Sequence, residues 1–368
     1  MHKAYYILTT APFISKHLDT SNLLEETFNS SAPSNIALVK YWGKTEPQIP
    51  TNTSLSFTLN NCLTKTTLMV FKKDIYKDKS DLAVFFEGQL KADFKPKIET
   101  FLNRISSYVP FLSDFKLEIH TQNTFPHSSG IASSASGLAA LSVCLMQLEK
   151  KLNPKISQVY FNQKASFLAR LGSGSACRSI EGPVIIWGKH PDVKESSDLY
   201  GVKLPFELHP NFNNYCDSIL LVDKGEKQVS SSVGHGLMDN HPFANERFKQ
   251  ANNHITDILK VLKTGDLKSF INIVESEALT LHAMMMTSNP YFILMKPNTL
   301  QILDKVWEFR AKTNTHLCFT LDAGANVHLL YPQSEKEITK GFIKKELEQL
   351  CENNQVIHDC LGLGINIG

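Results

Sequence analysis

Four short segments of this chain place hydroxyls, glycines or charges where a packed core would reject them. The first is Asn35-Ile-Ala-Leu-Val-Lys-Tyr-Trp-Gly-Lys44, an apolar run ending in two lysines, Lys40 and Lys44, with Tyr41 and Trp42 between them. Two ammonium groups at a strand end make either a solvated sheet edge or the rim of a pocket for a polyanion, since lysine meets phosphate as a point charge. The second is Pro126-His-Ser-Ser-Gly-Ile-Ala-Ser-Ser-Ala-Ser-Gly137, which runs into the helical pattern of Leu138 to Glu149. Glycine lets backbone approach a ligand closely, and a helix start carries unpaired N–H groups and a partial positive charge. That segment is an anion cradle or simply a Ser-capped helix start. It has neither the Gly-Lys-Ser/Thr ending of a Walker loop nor Gly-x-Gly-x-x-Gly. The third, Leu171-Gly-Ser-Gly-Ser-Ala-Cys-Arg-Ser179, presents Arg178 on a glycine-serine turn. An arginine there is a plain surface group, or a fork that grips a carboxylate through two parallel hydrogen bonds. The fourth, Thr320-Leu-Asp-Ala-Gly-Ala-Asn326, puts Asp322 at the end of an apolar strand, as a turn-former, a base or a metal neighbour.

The elements that must hold these segments follow from periodicity. Strand-like runs cover Ile36–Trp42, Ser54–Leu59, Thr64–Phe71, Leu82–Phe86 and Phe115–His120, with short buried candidates at Val184–Trp187 and Ser218–Val222. Helical patterns cover 94–107, 131–150, 155–171, 242–263, 266–285, 297–312 and 335–352, with strands at His316–Leu321 and Val327–Tyr331. Strands and helices come in mixed runs, not in strict βαβ alternation, which predicts an α+β fold. The prolines and asparagines between Pro205 and Asn214 predict a lobe boundary: an N-terminal extension over 1–30, one lobe over 31–205 and a second over 206–368.

Composition narrows the function classes. The chain has 368 residues, 42% of them hydrophobic, and a net charge of +2. That charge provides no general attraction to nucleic acid or acidic membranes, so any cationic site must be local. Seven scattered cysteines with no Cys-x-x-Cys spacing argue against a disulfide framework or a zinc site and for a reducing compartment. No apolar run reaches the ~20 residues that span a bilayer. Threonines and a proline interrupt the apolar stretch near the N-terminus, so no signal peptide is expected and the cytoplasm is the expected location. No His-x-x-x-His spacing occurs, so no protein-held metal is expected.

Taken together, the four segments resemble the diphosphomevalonate decarboxylase family, within the superfamily of galacto-, homoserine, mevalonate and phosphomevalonate kinases. The resemblance rests on Asn-Ile-Ala-x-x-Lys-Tyr-Trp-Gly-Lys at 35–44, Ser-Gly-Ile-Ala-Ser-Ser-Ala at 129–135, Gly-Ser-Gly-Ser-Ala-Cys-Arg-Ser at 172–179 and Asp-Ala-Gly-x-Asn at 322–326. Weaker echoes lie at Asn52–Ser56, Lys227–Ser231 and Leu281-His-Ala283. It implies a two-lobed small-molecule kinase fold: an N-terminal lobe like domain 2 of ribosomal protein S5, and a ferredoxin-like C-terminal lobe. It implies ATP and Mg2+, with ATP-dependent decarboxylation of mevalonate 5-diphosphate to isopentenyl diphosphate.

By that resemblance Asp322 is the aspartate beside the 3-hydroxyl, Arg178 orients the substrate carboxylate, Lys40 sits in the reaction centre and Asn35 orders it. Tyr41, Lys44, Ser175, Ser230 and Gly324 match substrate-binding positions. Ser128, Ser129, Gly130, Ala132, Ser133 and Ser134 match the loop that cradles ATP, with magnesium bridging the phosphates. A homodimer is a family expectation. The chain departs from the family pattern at His127–Ser129, at Glu181-Gly-Pro183 and at Ala325, and none of these removes a charged group. An aspartate with a reference pKa of about 3.9, lowered further by a nearby lysine, is a weak base for a tertiary alcohol, so late proton acceptance is expected. The rival readings are a mevalonate 5-phosphate decarboxylase, a mevalonate 3-kinase and a catalytically silent homologue.

Overall fold

The structure, a computed structural model, describes residues 9–126, 131–225 and 231–367. Its larger sheet is built on two long antiparallel strands, β1 (Glu25–Val39) and β2 (Ser54–Lys72). Their outer halves alternate between inward apolar residues such as Phe28, Leu68 and Val70 and outward polar ones such as Asn29 and Lys65, the pattern of a sheet covered on one face. The strands β3 (Leu82–Phe86) and β4 (Phe115–Asn123) extend this half, β3 running parallel to β4. The inner halves are buried almost throughout, and β5 (Val184–Trp187) pairs there with Ser54–Phe57 of β2.

Periodicity split β2 into two strands because residues 60–62 leave the ladder. The register with β1 jumps from Leu63↔Pro33 to Thr58↔Asn35, a bulge that suits a proline with no N–H to donate. The backbone N–H groups of Asn60, Asn61 and Cys62 all donate instead to the Asp359 carboxylate, at 2.8 to 3.1 Å.

Three helices, α1 (Lys95–Ile105), α2 (Ser133–Leu152) and α3 (Gln158–Gly172), close the covered face around an apolar cluster that includes Phe101, Leu141, Phe161 and Phe167. The second half of the chain forms α4 (Ala244–Thr264), α5 (Leu267–Met286) and α6 (Pro297–Thr313) and a four-stranded antiparallel sheet. That sheet comprises β6 (Cys216–Leu220), β7 (Cys318–Leu321), β8 (Val327–Tyr331) and β9 (Val356–Cys360), in the order β7-β8-β6-β9, the ferredoxin-like arrangement. The fold is α+β in two lobes.

The lobes share a core. Ile36, Leu55 and Phe57 from the inner ends of β1 and β2 pack in one cluster with Phe212, Ile255, Phe270 and Val274. The expected 1–30 extension also joins the fold from Glu25 onward, where apolar alternation begins, and Ser15 and Thr20 are buried. At the other end β10 (Asn366–Ile367) returns to pair with β1. The helix expected over 335–352 is shorter: Lys336–Phe342 is α-helical, and Ile343–Leu347 widens into a π turn.

Candidate active site

The ends of β1 and β7 meet at an ion pair. β1 stops at Val39, so Lys40 begins the turn that carries Tyr41 to Lys44, and Asp322 follows β7 directly. The Lys40 Nζ lies 3.0 Å from Asp322 Oδ1, and it also donates to the Ala37 carbonyl at 2.6 Å. Lys40 is almost fully buried, whereas about a third of the Asp322 side chain is accessible, so the carboxylate is the half of the pair that a ligand reaches. Burial pulls the Lys40 ammonium below the usual lysine range, and Asp322 and Glu277 oppose that pull.

Arg178 completes this centre. It sits on the 3-10 turn Gly174–Ser179, where α3 ends and the glycine-serine run doubles back under β1. Its guanidinium donates to Ser54 Oγ and to Asn35 Oδ1, and it lies over the Trp187 ring. Asn35 in turn donates to Ser179 Oγ at 2.8 Å and to the Ser175 carbonyl at 3.2 Å. The amide therefore locks the turn that carries both Ser175 and Arg178. Burial lowers the Arg178 pKa, and the Asp322 carboxylate offsets part of that effect.

The Tyr41–Lys44 turn forms a second wall. The Tyr41 ring packs edge-on against Trp187 and at a tilt against His235, with its hydroxyl buried and without a partner among the described residues. His235 accepts the Gly43 N–H on Nδ1 at 2.9 Å and stays neutral, because burial, together with Lys44 and Arg178, pushes its pKa down to about 3. Gly43 has φ +98°, and a Cβ there would strike Thr51, so the turn requires glycine. Lys44 does not join Lys40: it bonds Gln48 at 2.9 Å and faces Glu46 at 3.9 Å. Gly324 donates its N–H to the Asp322 carbonyl, with open space where a Cβ would stand.

The serine-rich loop ends at the start of α2. Ser133 and Ser134 are the first two helical residues, and the flanking Ala132 adopts a left-handed φ of +42° with no side-chain cap. This differs from a Ser-capped start: the cap position is Ala132, and among the described residues no hydroxyl is bonded to the first N–H groups. Lys97 of α1 donates to Ser134 Oγ at 2.7 Å. Beside them lies a cavity of about 140 Å³ lined by Val84, Phe86, Phe94, Ile98, Leu138 and Leu141 as well as Lys97, Ser133 and Ser134. Ser128, Ser129, Gly130 and Ser230 lie outside the described residues. Lys97 carried no motif signal; only its register on α1, toward the start of α2, makes it part of the site.

The chain is similar to known proteins in both sequence and fold. A model described as the diphosphomevalonate decarboxylase-like N-terminal domain matches residues 32–198, and one described as the mevalonate 5-diphosphate decarboxylase C-terminal domain matches 218–361. The diphosphomevalonate decarboxylase of Ganoderma lucidum is 30% identical over 86% of this chain and 81% of its own length. A solved structure described as MDDEF in complex with MVAPP, AMPPCP and magnesium superposes with a TM-score of 0.80 at 29% identity, covering 94% of this chain and 99% of that one. The mevalonate diphosphate decarboxylase from Staphylococcus aureus matches at a TM-score of 0.80 and 26% identity, covering 94% and 98%.

Proposed function

Because this chain belongs to the diphosphomevalonate decarboxylase family, we propose that it converts mevalonate 5-diphosphate and ATP to isopentenyl diphosphate, ADP, phosphate and CO2. The observation that carries this reading furthest is the Lys40–Asp322 pair at 3.0 Å, held beside Arg178. A kinase step alone needs a hydroxyl positioned for phosphoryl transfer. Decarboxylation also needs the substrate carboxylate held so that its C–C bond lines up with the departing phosphate, and a locked arginine can hold it through two parallel hydrogen bonds. A solved relative that holds MVAPP, AMPPCP and magnesium together supports two ligands in one cleft.

In this reading the γ-phosphate passes to the 3-hydroxyl, which Asp322 orients and whose proton it accepts late, as the O–P bond forms. Phosphoryl transfer depends mainly on positioning and charge stabilisation, which Lys40 provides without deprotonating anything. The C–C bond to the carboxylate then breaks, its electron pair forms the new double bond and the 3-phosphate leaves with the C–O pair. Arg178 holds the carboxylate until CO2 departs, and Asn35 holds Arg178. Tyr41 and Lys44, with Ser175, Ser230 and Gly324, take the diphosphate end. The open N–H groups at Ser133 and Ser134, with Ala132 and the loop from Ser128 to Gly130, take the ATP phosphates. The apolar cavity beside Ser134 suits the flat base. Magnesium would be held by phosphate oxygens, with serine hydroxyls as further hard donors, and when bound it neutralises phosphate charge.

A coupled assay tests the reading by following ADP and CO2 from mevalonate diphosphate. Equal yields of both are expected. ADP without CO2 would point to a 3-kinase, and faster turnover of the monophosphate would move the substrate. Asp322→Asn is expected to cut kcat by at least about a thousandfold while KM stays within about threefold, since the lost contact acts in the transition state. Near-normal turnover in that variant would overturn the role.

A further inference from the structure

Behind Lys40 lies a second buried charge cluster that the reaction does not touch. The Glu277 carboxylate, on α5, accepts the backbone N–H of Lys40 at 2.8 Å. It also takes two hydrogen bonds from Arg247 of α4, at 2.6 and 2.8 Å, and one from His254 Nδ1 at 2.6 Å. The Arg247 guanidinium reaches the Lys40 carbonyl at 3.4 Å, and Asn52 donates to that same carbonyl at 2.9 Å. Both side chains of the Glu277–Arg247 pair have no exposed surface. Such a pair is a poor source of net stability, because desolvating two charges offsets most of their attraction. Three side-chain hydrogen bonds to the backbone of one residue, backed by three more within the cluster, need another purpose.

We propose that Glu277 is a positioning residue for the reaction: with Arg247 it clamps the peptide of Lys40 between α4 and α5, so that the ammonium stays on Asp322. The inference rests on the function proposed above. The strand ends at Val39, so no ladder bond fixes Lys40, and the Glu277 bond substitutes for it. From the other side of the pair, His282 of the same helix donates toward the Asp322 carbonyl at 3.1 Å. One helix therefore holds the backbone of both partners. Charge works in the same direction. The groups facing Glu277 are Arg247, His254 and Lys40; burial pushes its carboxyl up, but the bonds from His254, Arg247 and the Lys40 N–H outweigh this and keep it ionised. An ionised Glu277 helps Lys40 keep its proton against burial.

The test uses two full-length variants. Glu277→Gln alone strands a buried guanidinium, so Glu277→Gln with Arg247→Met removes the pair together and is the variant expected to fold. In it, kcat should fall about tenfold to a hundredfold with KM for both substrates within about threefold, the mark of a reacting group misplaced by less than an ångström. The alkaline limb of kcat should move to lower pH, because Glu277 favours the charged form of Lys40 while the Arg247 removed with it sits against the Lys40 carbonyl and is no comparable influence on the ammonium. Glu277→Asp, which keeps the anion, should restore part of kcat and leave that limb near its wild-type position. The same shift should appear without substrate, in the titration of the Lys40 signal from 13Cε-labelled lysine, identified by its loss in Lys40→Met. A double variant with native melting behaviour that keeps wild-type kcat, or whose Lys40 titration does not move, would overturn the proposal. Absence of turnover in the wild-type enzyme, with the titration shift present, would count against the proposed reaction and not against the clamp.

Discussion

Tyr41 spends most of its side chain on packing and leaves its one polar atom without a partner among the described residues. Its ring is wedged between Trp187 and His235, and its hydroxyl lies against Gly174, where a Cβ would stand 2.8 Å from it, so that position needs glycine. Burying an unbonded hydroxyl costs about 1–3 kcal/mol. In the proposed reaction a diphosphate oxygen recovers that cost. Tyr41→Phe should therefore leave the melting temperature unchanged or slightly higher, yet raise KM for the diphosphate substrate about tenfold. An unchanged KM would remove Tyr41 from the binding site. Lys40 and Asp322 stood out in the sequence as charges at the ends of apolar runs, and Arg178 as an arginine on a glycine-serine turn. Glu277 and Arg247 did not: they sit in amphipathic helices where a charged residue ordinarily faces water, and only their meeting across α4 and α5 shows that they are buried.

The elements were readable wherever periodicity had one cause. The helices α2 to α6 appear within a few residues of their expected bounds: α4 buries one apolar stripe, while α2 and α3 are long apolar runs enclosed nearly all round. β2 was misread as two strands because the interruption is made by Asp359, a residue some 300 positions away whose carboxylate replaces the missing ladder bonds. α5 serves two masters. Its polar edge holds Glu277 and His282 at the reaction centre, and its apolar face sends Phe270 against Phe57 of β2, with stacked rings 6.0 Å apart. Phe270→Ala should cost about 3–5 kcal/mol, since Phe270 is fully enclosed and its neighbours are rings that cannot collapse into the space. Denaturant melts read this directly. A loss below about 1 kcal/mol would mean that the shared core is looser than its packing indicates.

The molecule as a whole carries an acid sensitivity that no single motif reveals. His235 and His282 are buried in neutral form, with pKa values pushed down from 6.5 to about 3 and about 4, chiefly by burial. In the unfolded chain both bind protons near pH 6.5. Below that pH the unfolded state holds more protons than the folded one, so stability is full above about 6.5 and declines as pH falls toward 4. Each histidine contributes a slope of up to about 1.4 kcal/mol per pH unit. Urea midpoints between pH 7 and pH 4.5 should fall accordingly, and His282→Gln should flatten the decline. An equally steep decline in that variant would place the sensitivity elsewhere. The sequence alone offered thirteen histidines and no means of telling which would be enclosed.

The Lys40–Asp322 contact joins residues 282 positions apart. A growing chain that stops short of β7 has Lys40 and Arg178 in hand and no Asp322 to face them. Catalysis in this architecture is thus all-or-nothing with respect to chain completion: half-made molecules carry a cluster of positive charge but no reactive centre. They can attract the phosphates of both ligands without consuming either.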